Sequence, residues 1–208
     1  MGHLTRNSIS FNFLLLIIFL MLFNKTPCAS CPAKCCRNYS VSLTHIDLIN
    51  LQKNLGSKFT EFIEFDIAVG FDETLAPHIL LNLDGLEKHY ILRLRRDKKE
   101  TCLFLGKNNL CTIYDSRPRK CRTYPFVKNS LFIEMKEGSR CPINWNLTKP
   151  VIDQFDHDID LQKKEIEAFR LICKKWNSSS INLRTIESFL TYLFDMFPDT
   201  LNYHKNTF

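Results

Sequence analysis

The 208-residue chain has no internal repeat, no low-complexity linker and no glycine-rich loop following a strand-like run. The first two absences leave no obvious division into separate modules, and 45% apolar content over this length suffices for one ordinary core. The third excludes a Rossmann-type core, whose ligand sits against such a loop. A large excess of one charge is also missing: the net charge is +6, and 24% of residues are charged, which argues against a disordered or fibrous chain. Basic residues gather in "RLRRDKK" (93–99) and "RPRKCR" (117–122). Both read as solvated faces with local ion pairs, so nucleic acid is not an expected partner. No Ser–His–Asp set or carboxylate pair follows from spacing. His45, His78, His89 and His157 are scattered without ligand spacing, which fits structural or surface roles.

Long apolar runs are scarce too. "FNFLLLIIFLMLF" (11–23) is apolar apart from Asn12, but a confident membrane span needs roughly 20 such residues. Arg6 precedes it, as in a signal peptide, yet the downstream boundary argues against removal. A cut after Ala29 would put Pro27 where a small residue is wanted, and a cut after Ser30 would discard Cys28. Two readings stand. The run is an uncleaved anchor, with Lys25, Lys34 and Arg37 holding the following domain on the cytoplasmic side; or translation starts at Met21 and the protein is soluble. Both give a cytoplasmic domain, soluble or tethered through residues 11–23, with export as the alternative. The sequons at Asn38, Asn146 and Asn177 would matter only in a secreted eukaryotic protein.

What the chain has in abundance is cysteine, nine in all. Cys173 separates first. It falls on the apolar stripe of a helical pattern, where a free cysteine behaves as a small hydrophobe. The remaining eight are Cys28, Cys31, Cys35, Cys36, Cys102, Cys111, Cys121 and Cys141, the last four beside turns or strand ends. Cys28 and Cys31 have the two-residue spacing by which a sharp turn aims both sulfurs at one ion. Cys35 and Cys36 are adjacent, so their side chains tend to diverge, one serving a centre while the other serves a second site or stays free. Eight thiolates suit two four-ligand sites or one cluster with reserves. Disulfides also fit an even count, but a 65-residue gap after Cys36, in a chain with a full-size core, calls for no stapling.

The periodicities predict an α+β fold: a small cysteine-rich β-hairpin centre, short helices before it and two helices after it covering it. "SLTHIDLINLQKNLG" offers Thr44 as N-cap, Asp47 three residues on, the stripe Leu48, Leu51 and Leu55, and Gly56 as C-cap. A short helix with Phe59, Phe62 and Ile63 on one face follows. Residues 66–88 read as irregular, "HYILRLRR" as a strand, "GKNN" as a hairpin turn between two short β runs, and residues 130–135 as a further strand. One helical turn carries Cys121. From Ile152 to Trp176, and again from Leu183 to Phe197, apolar residues recur at helical steps. The expected organisation is a hydrophobic segment (1–27), a cysteine-cluster metal-binding domain (28–145) and a helical extension packing on it (146–208). Tyr114, Tyr124 and Phe126 are expected as a dry shell around the sulfurs. Arg122 is a candidate to offset thiolate charge, and Asp115 and Arg117 fix the turn before Cys121.

"CASCPAKCC", then "CLFLGKNNLCTIYDSRPRKCRTYPF", then "CP" at Cys141 resemble the YkgJ-like cysteine-cluster family with a CxxCxxCC signature, held to chelate zinc or iron. The tail "KKWNSSSINLRTIESFLTYL" is similar as well, extending the likeness from about Cys28 to Met196. Here three residues, Pro32, Ala33 and Lys34, separate Cys31 from Cys35, where the signature has two. The resemblance implies that the eight cysteines bind an iron–sulfur cluster (4Fe-4S) or iron, or alternatively zinc, with an unknown protein partner or substrate. Two other functions stay open. One is an iron–sulfur redox enzyme or an S-adenosylmethionine-dependent protein methyl-transfer enzyme akin to the flagellin lysine N-methylases, which share a similar cluster but are much larger. The other is a secreted disulfide-bonded binding protein.

Overall fold

The computed structural model describes residues 31–130 and 132–197. Cys28 and the apolar run at 11–23 lie outside them. Among the described residues no helix is long and apolar enough to cross a membrane.

The architecture is α+β. Helices α1 (Lys34–Asn38), α2 (His45–Leu55) and α3 (Phe59–Phe62) precede strands β1 (Ile63–Ile67), β2 (Ile79–Asn82) and β3 (Glu87–Leu94). A 3₁₀ turn (Tyr114–Ser116), α4 (Arg119–Thr123), β4 (Phe126–Lys128) and β5 (Ile133–Met135) follow, then α5 (Lys149–Ser178) and α6 (Ile186–Asp195). The main sheet is antiparallel in the order β1-β3-β2; β4 and β5 form a separate ribbon.

Helix α2 forms as its ends foretell. Thr44 Oγ1 accepts from the Asp47 amide while the Asp47 carboxylate accepts from the Thr44 amide at 2.9 Å. At the other end Gly56 takes φ +62°, left-handed backbone that suits a residue without Cβ. Strand β3 is the long central element. Tyr90 pairs with Ile67 on one side and Ile79 on the other. Beyond the end of β2, residues 41–43 take over that edge, through Leu43 N–H to Leu92 O and Leu94 N–H to Val41 O, both 2.9 Å. The region expected to be irregular (66–88) therefore contains β2 and the ends of β1 and β3. Gly70, Pro77 and Gly85 occupy the connections and leave "ILLN" free to pair.

Long α5 lies across the sheet with α6 beside it. Phe169, Cys173 and Trp176 from α5, Phe189, Leu190 and Leu193 from α6, and Leu81 and Leu92 from the sheet form one buried cluster with Leu48, Leu51, Phe59 and Phe62. Trp176 Nε1 donates to Leu80 O at 2.8 Å, so the largest buried side chain also satisfies its polar atom. Cys173 is 1% exposed, as its place on the helix stripe requires. A second cluster joins Phe126 to Phe155 and Ile159, fixing the β4–β5 ribbon to the first half of α5.

The cysteine-bearing stretch is not itself a sheet. The turn at "GKNN" is present, with Gly106 N–H to Leu110 O at 2.8 Å and Asn109 N–H to Gly106 O at 3.0 Å. The flanks, however, meet only in single bridges, Leu105 with Cys111 and Arg96 with Cys102. Gly106 is required by space: a Cβ there would stand 3.0 Å from Asn108 Oδ1 and 3.1 Å from Leu110 O.

Candidate metal centre

Four segments carry Cys35 and Cys36, Cys102, Cys111 and Cys121. Short α1 carries Cys35 and Cys36; the Cys36 carbonyl accepts from the Cys102 amide at 2.8 Å, tying that helix to the end of the β3 extension. Cys111 stands opposite Leu105 after the Gly106 turn. Cys121 lies on α4, entered through Pro118.

What aims α4 is a polar network that the sequence pattern does not disclose. The Asp47 carboxylate caps α2 and, through its other oxygen, accepts from the Arg119 amide at 2.8 Å. The Arg119 guanidinium in turn donates to Asp158 at 2.8 Å and Glu165 at 2.9 Å on α5. The helix carrying Cys121 is thus held from both sides by carboxylates. Asp47 is 5% exposed, and burial raises its pKa despite these hydrogen bonds.

All eight described cysteines are free thiols. Cys35, Cys102, Cys111 and Cys121 form a closed set, because every pair among them interacts electrostatically so as to raise a pKa. Burial is the largest cause for Cys102, Cys111 and Cys121, the last pushed well above the ordinary thiol value. For Cys35 the leading cause is its hydrogen bond with Cys36, whose sulfur lies 3.9 Å away, followed by burial. The guanidiniums opposing these shifts belong to Arg96, beside Cys102, and Arg117, beside Cys111 and Cys121. Arg122, the candidate from sequence, instead donates to the carbonyls of Arg117 and Asp115. Arg117 also donates to Tyr114 O at 2.8 Å and lies 3.5 Å over that ring, fixing the turn as expected.

The other sequence candidates have different immediate neighbours. The Cys36 sulfur lies 3.9 Å from that of Cys35, and Cys141 acts on Tyr124. Cys31 is half-buried just before α1, and Cys28 lies outside the described residues. Tyr124 packs edge-on against Tyr39 at 5.3 Å, whereas Phe126 packs edge-on against Trp145 and at a tilt against Phe155, in the cluster under the β4–β5 ribbon. Among the described residues no three His, Cys, Asp or Glu side chains are drawn in tightly enough, as they stand, to hold a metal ion.

Thiols that each raise the others' pKa retain protons unless a cation offsets the accumulating charge; a divalent ion inverts that balance and takes the thiolates as ligands. The donor set is all sulfur, with no carboxylate or imidazole in it, and therefore suits zinc or iron rather than magnesium or calcium. Comparison with known proteins agrees with this chemistry. Residues 27–174 match the CxxCxxCC family, described as "Putative zinc- or iron-chelating domain". The chain belongs to that family, and metal binding is the role it brings. The match ends at residue 174, within α5. No curated protein and no solved structure matches the chain.

Proposed function

We propose that Cys35, Cys102, Cys111 and Cys121 are the ligands of one zinc or iron centre, and that holding it is the central task of the domain. The observation that carries this is the way distant segments are tied together around these thiols: Cys102 N–H to Cys36 O, the Leu105–Cys111 bridge, and Arg119 N–H, on the helix of Cys121, to Asp47. The mutual raising of the four thiol pKa values fits it. Coordination requires the sulfurs to draw in from their present positions. Cys31, Cys36 and Cys141 are then available as reserve thiols, which an iron–sulfur cluster (4Fe-4S) could draw on. Bound metal supplies Lewis acidity or, as an iron–sulfur centre, electron transfer. This chain's part is to present thiolates, with Arg96 and Arg117 offsetting their charge. Thiolates persist in a reducing compartment, and the proposal accordingly puts the domain in the cytoplasm.

Metal analysis of the anaerobically purified full chain is the test, with Cys121→Ser and Cys173→Ser compared. Cys121→Ser is expected to lose most bound metal and Cys173→Ser to keep it. Broad absorption near ~400 nm identifies an iron–sulfur centre, and a colourless stoichiometric zinc protein identifies a tetrathiolate zinc site. Full metal retention in Cys121→Ser would overturn this ligand set.

A further inference from the structure

Residues 93–140 carry 13 lysines and arginines against 5 aspartates and glutamates. Two of these arginines converge with Arg37 on the five-residue helix α1. Arg37 Nη2 donates to Asn109 Oδ1 at 2.6 Å, Arg140 Nη1 donates to Asn38 Oδ1 at 2.8 Å, and Arg96 Nη1 donates to the Tyr39 carbonyl. Lys34 is exposed at the start of the same helix. Arg96 has Glu100 at 3.3 Å, but among the described residues neither Lys34, Arg37 nor Arg140 has a carboxylate within ion-pair distance. The side-chain acceptors of Arg37 and Arg140 are neutral amide oxygens, which orient a guanidinium without spending its charge.

That face does not exist to serve the thiols. The guanidiniums that act on Cys102, Cys111 and Cys121 are Arg96 and Arg117, while Arg37 and Arg140 figure in none of the four thiol shifts. Several cations elsewhere are matched, Lys128 with Asp156 and Asp160, Lys149 with Asp153, and Arg170 with Glu167; what sets the α1 face apart is that two unmatched guanidiniums are each oriented by an asparagine oxygen. Unmatched, exposed and preorganised arginines are suited to bidentate capture of carboxylates.

We propose that the α1 face, with Arg37 and Arg140 as its anchors and Lys34 beside them, docks an acidic segment of a partner protein. A single-stranded nucleic acid would need free aromatic faces for its bases, and none is offered there. Tyr39 and Tyr124 pack against each other, both hydroxyls accept from the Arg140 amide, at 3.2 and 2.8 Å, and the Tyr114 ring is covered by Arg117. The proposal stands apart from the metal reading, since neither arginine touches the four thiols.

Fluorescence anisotropy of a labelled oligoglutamate peptide on the full chain, at low and moderate salt, tests it. Arg37→Glu with Arg140→Glu is expected to weaken binding about tenfold or more. Lys174→Glu with Lys175→Glu, the same charge change on exposed residues of α5, is expected to leave it within about twofold. Arg37→Gln with Arg140→Gln, which keeps a hydrogen-bonding side chain at both positions, gives an intermediate loss and guards against misfolding of the reversed variant. Equal weakening by the two reversals, absence of peptide binding by the parent chain, or tighter binding of a single-stranded RNA of equal charge would each overturn the proposal.

Discussion

Between α5, α6 and the three-stranded sheet, Trp176, Phe169, Phe189, Leu81 and Leu92 are all but fully buried. In the stretch from residue 102 to 114, by contrast, Ile113 is the only buried side chain, and α1 buries none. The first region is closed by exclusion of water; the second is closed by backbone links such as Cys102 N–H to Cys36 O and Thr112 N–H to Phe104 O. Each such hydrogen bond contributes about 1 kcal/mol net, against about 1.5–3 kcal/mol for burying one large apolar side chain. The apolar region therefore carries the fold, and the cysteine region is a set of turns laid on its edge that a thiolate-bound ion can cross-link.

The heaviest blow to this comparison falls on the apolar side. Trp176→Ala removes a fully buried ring and its bond to Leu80 O and is expected to cost about 3–5 kcal/mol. Urea unfolding measures it. A cost below ~1 kcal/mol would mean that the sheet–helix contact is not where the stability resides.

Next in size is a titration inside that same region. His45 is 4% exposed, stacked against Phe169 and Phe197 at 5.8 and 5.0 Å, and its Nδ1 has no hydrogen-bond partner. Burial lowers its pKa to about 4. Because the folded value lies below the unfolded one of about 6.5, the unfolded chain takes up a proton that the folded chain refuses. Stability is therefore lost as pH falls from ~6.5 towards ~4, by up to about 3 kcal/mol at the lower end. His45→Phe is expected to flatten that part of the pH profile. An unchanged slope would show that other groups set it.

Asp47 joins the two regions, and its loss should be felt in both. Asp47→Ala removes the acceptors of the Thr44 and Arg119 amides, at an expected cost of about 2 kcal/mol. It also frees α4, so metal retention should fall alongside thermal stability. Asp47→Asn, which keeps one carbonyl oxygen, should fall between the parent and Asp47→Ala. Loss of stability with full metal content would show that the cysteine region keeps its ion without the Asp47–Arg119 link.

How far the sequence foretold this arrangement follows the same divide. The caps of α2 at Thr44, Asp47 and Gly56, and the stripes of α5 and α6, were legible because a local signal and the buried face coincide. Strand β2 was not, because four apolar residues between Gly70, Pro77 and Gly85 have no periodicity of their own; pairing with β3 makes them a strand. The cysteines were legible as a group but not as a subset. Which thiols meet depends on the link from Asp47 to Arg119, 72 positions apart, and such contacts leave no pattern in either segment. Arg96 and Arg117, rather than Arg122, oppose the rise in the thiol pKa values for the same reason: Arg122 is committed to the carbonyls of Arg117 and Asp115.

The smallest effect is also the most local. If the cysteine turns depend on an ion and the sheet does not, chelation should loosen the first and spare the second. Hydrogen exchange on the metal-loaded and chelated chain can read both at once, since the amides of Cys102, Gly106 and Thr112 are bonded within the turns while those of Leu92 and Leu94 lie in β3. Removal of the ion is expected to speed exchange at the turn amides about tenfold, equivalent to about 1.4 kcal/mol of local opening, and to change the strand amides by less than about twofold. Opening of the turns alone is a partial unfolding that the apolar cluster survives, because Cys102, Phe104 and Cys111 only border that cluster and are not in its centre. Equal acceleration at Leu92 would mean that the ion stabilises the whole fold, and that the sheet, for all its burial, does not stand without the thiols.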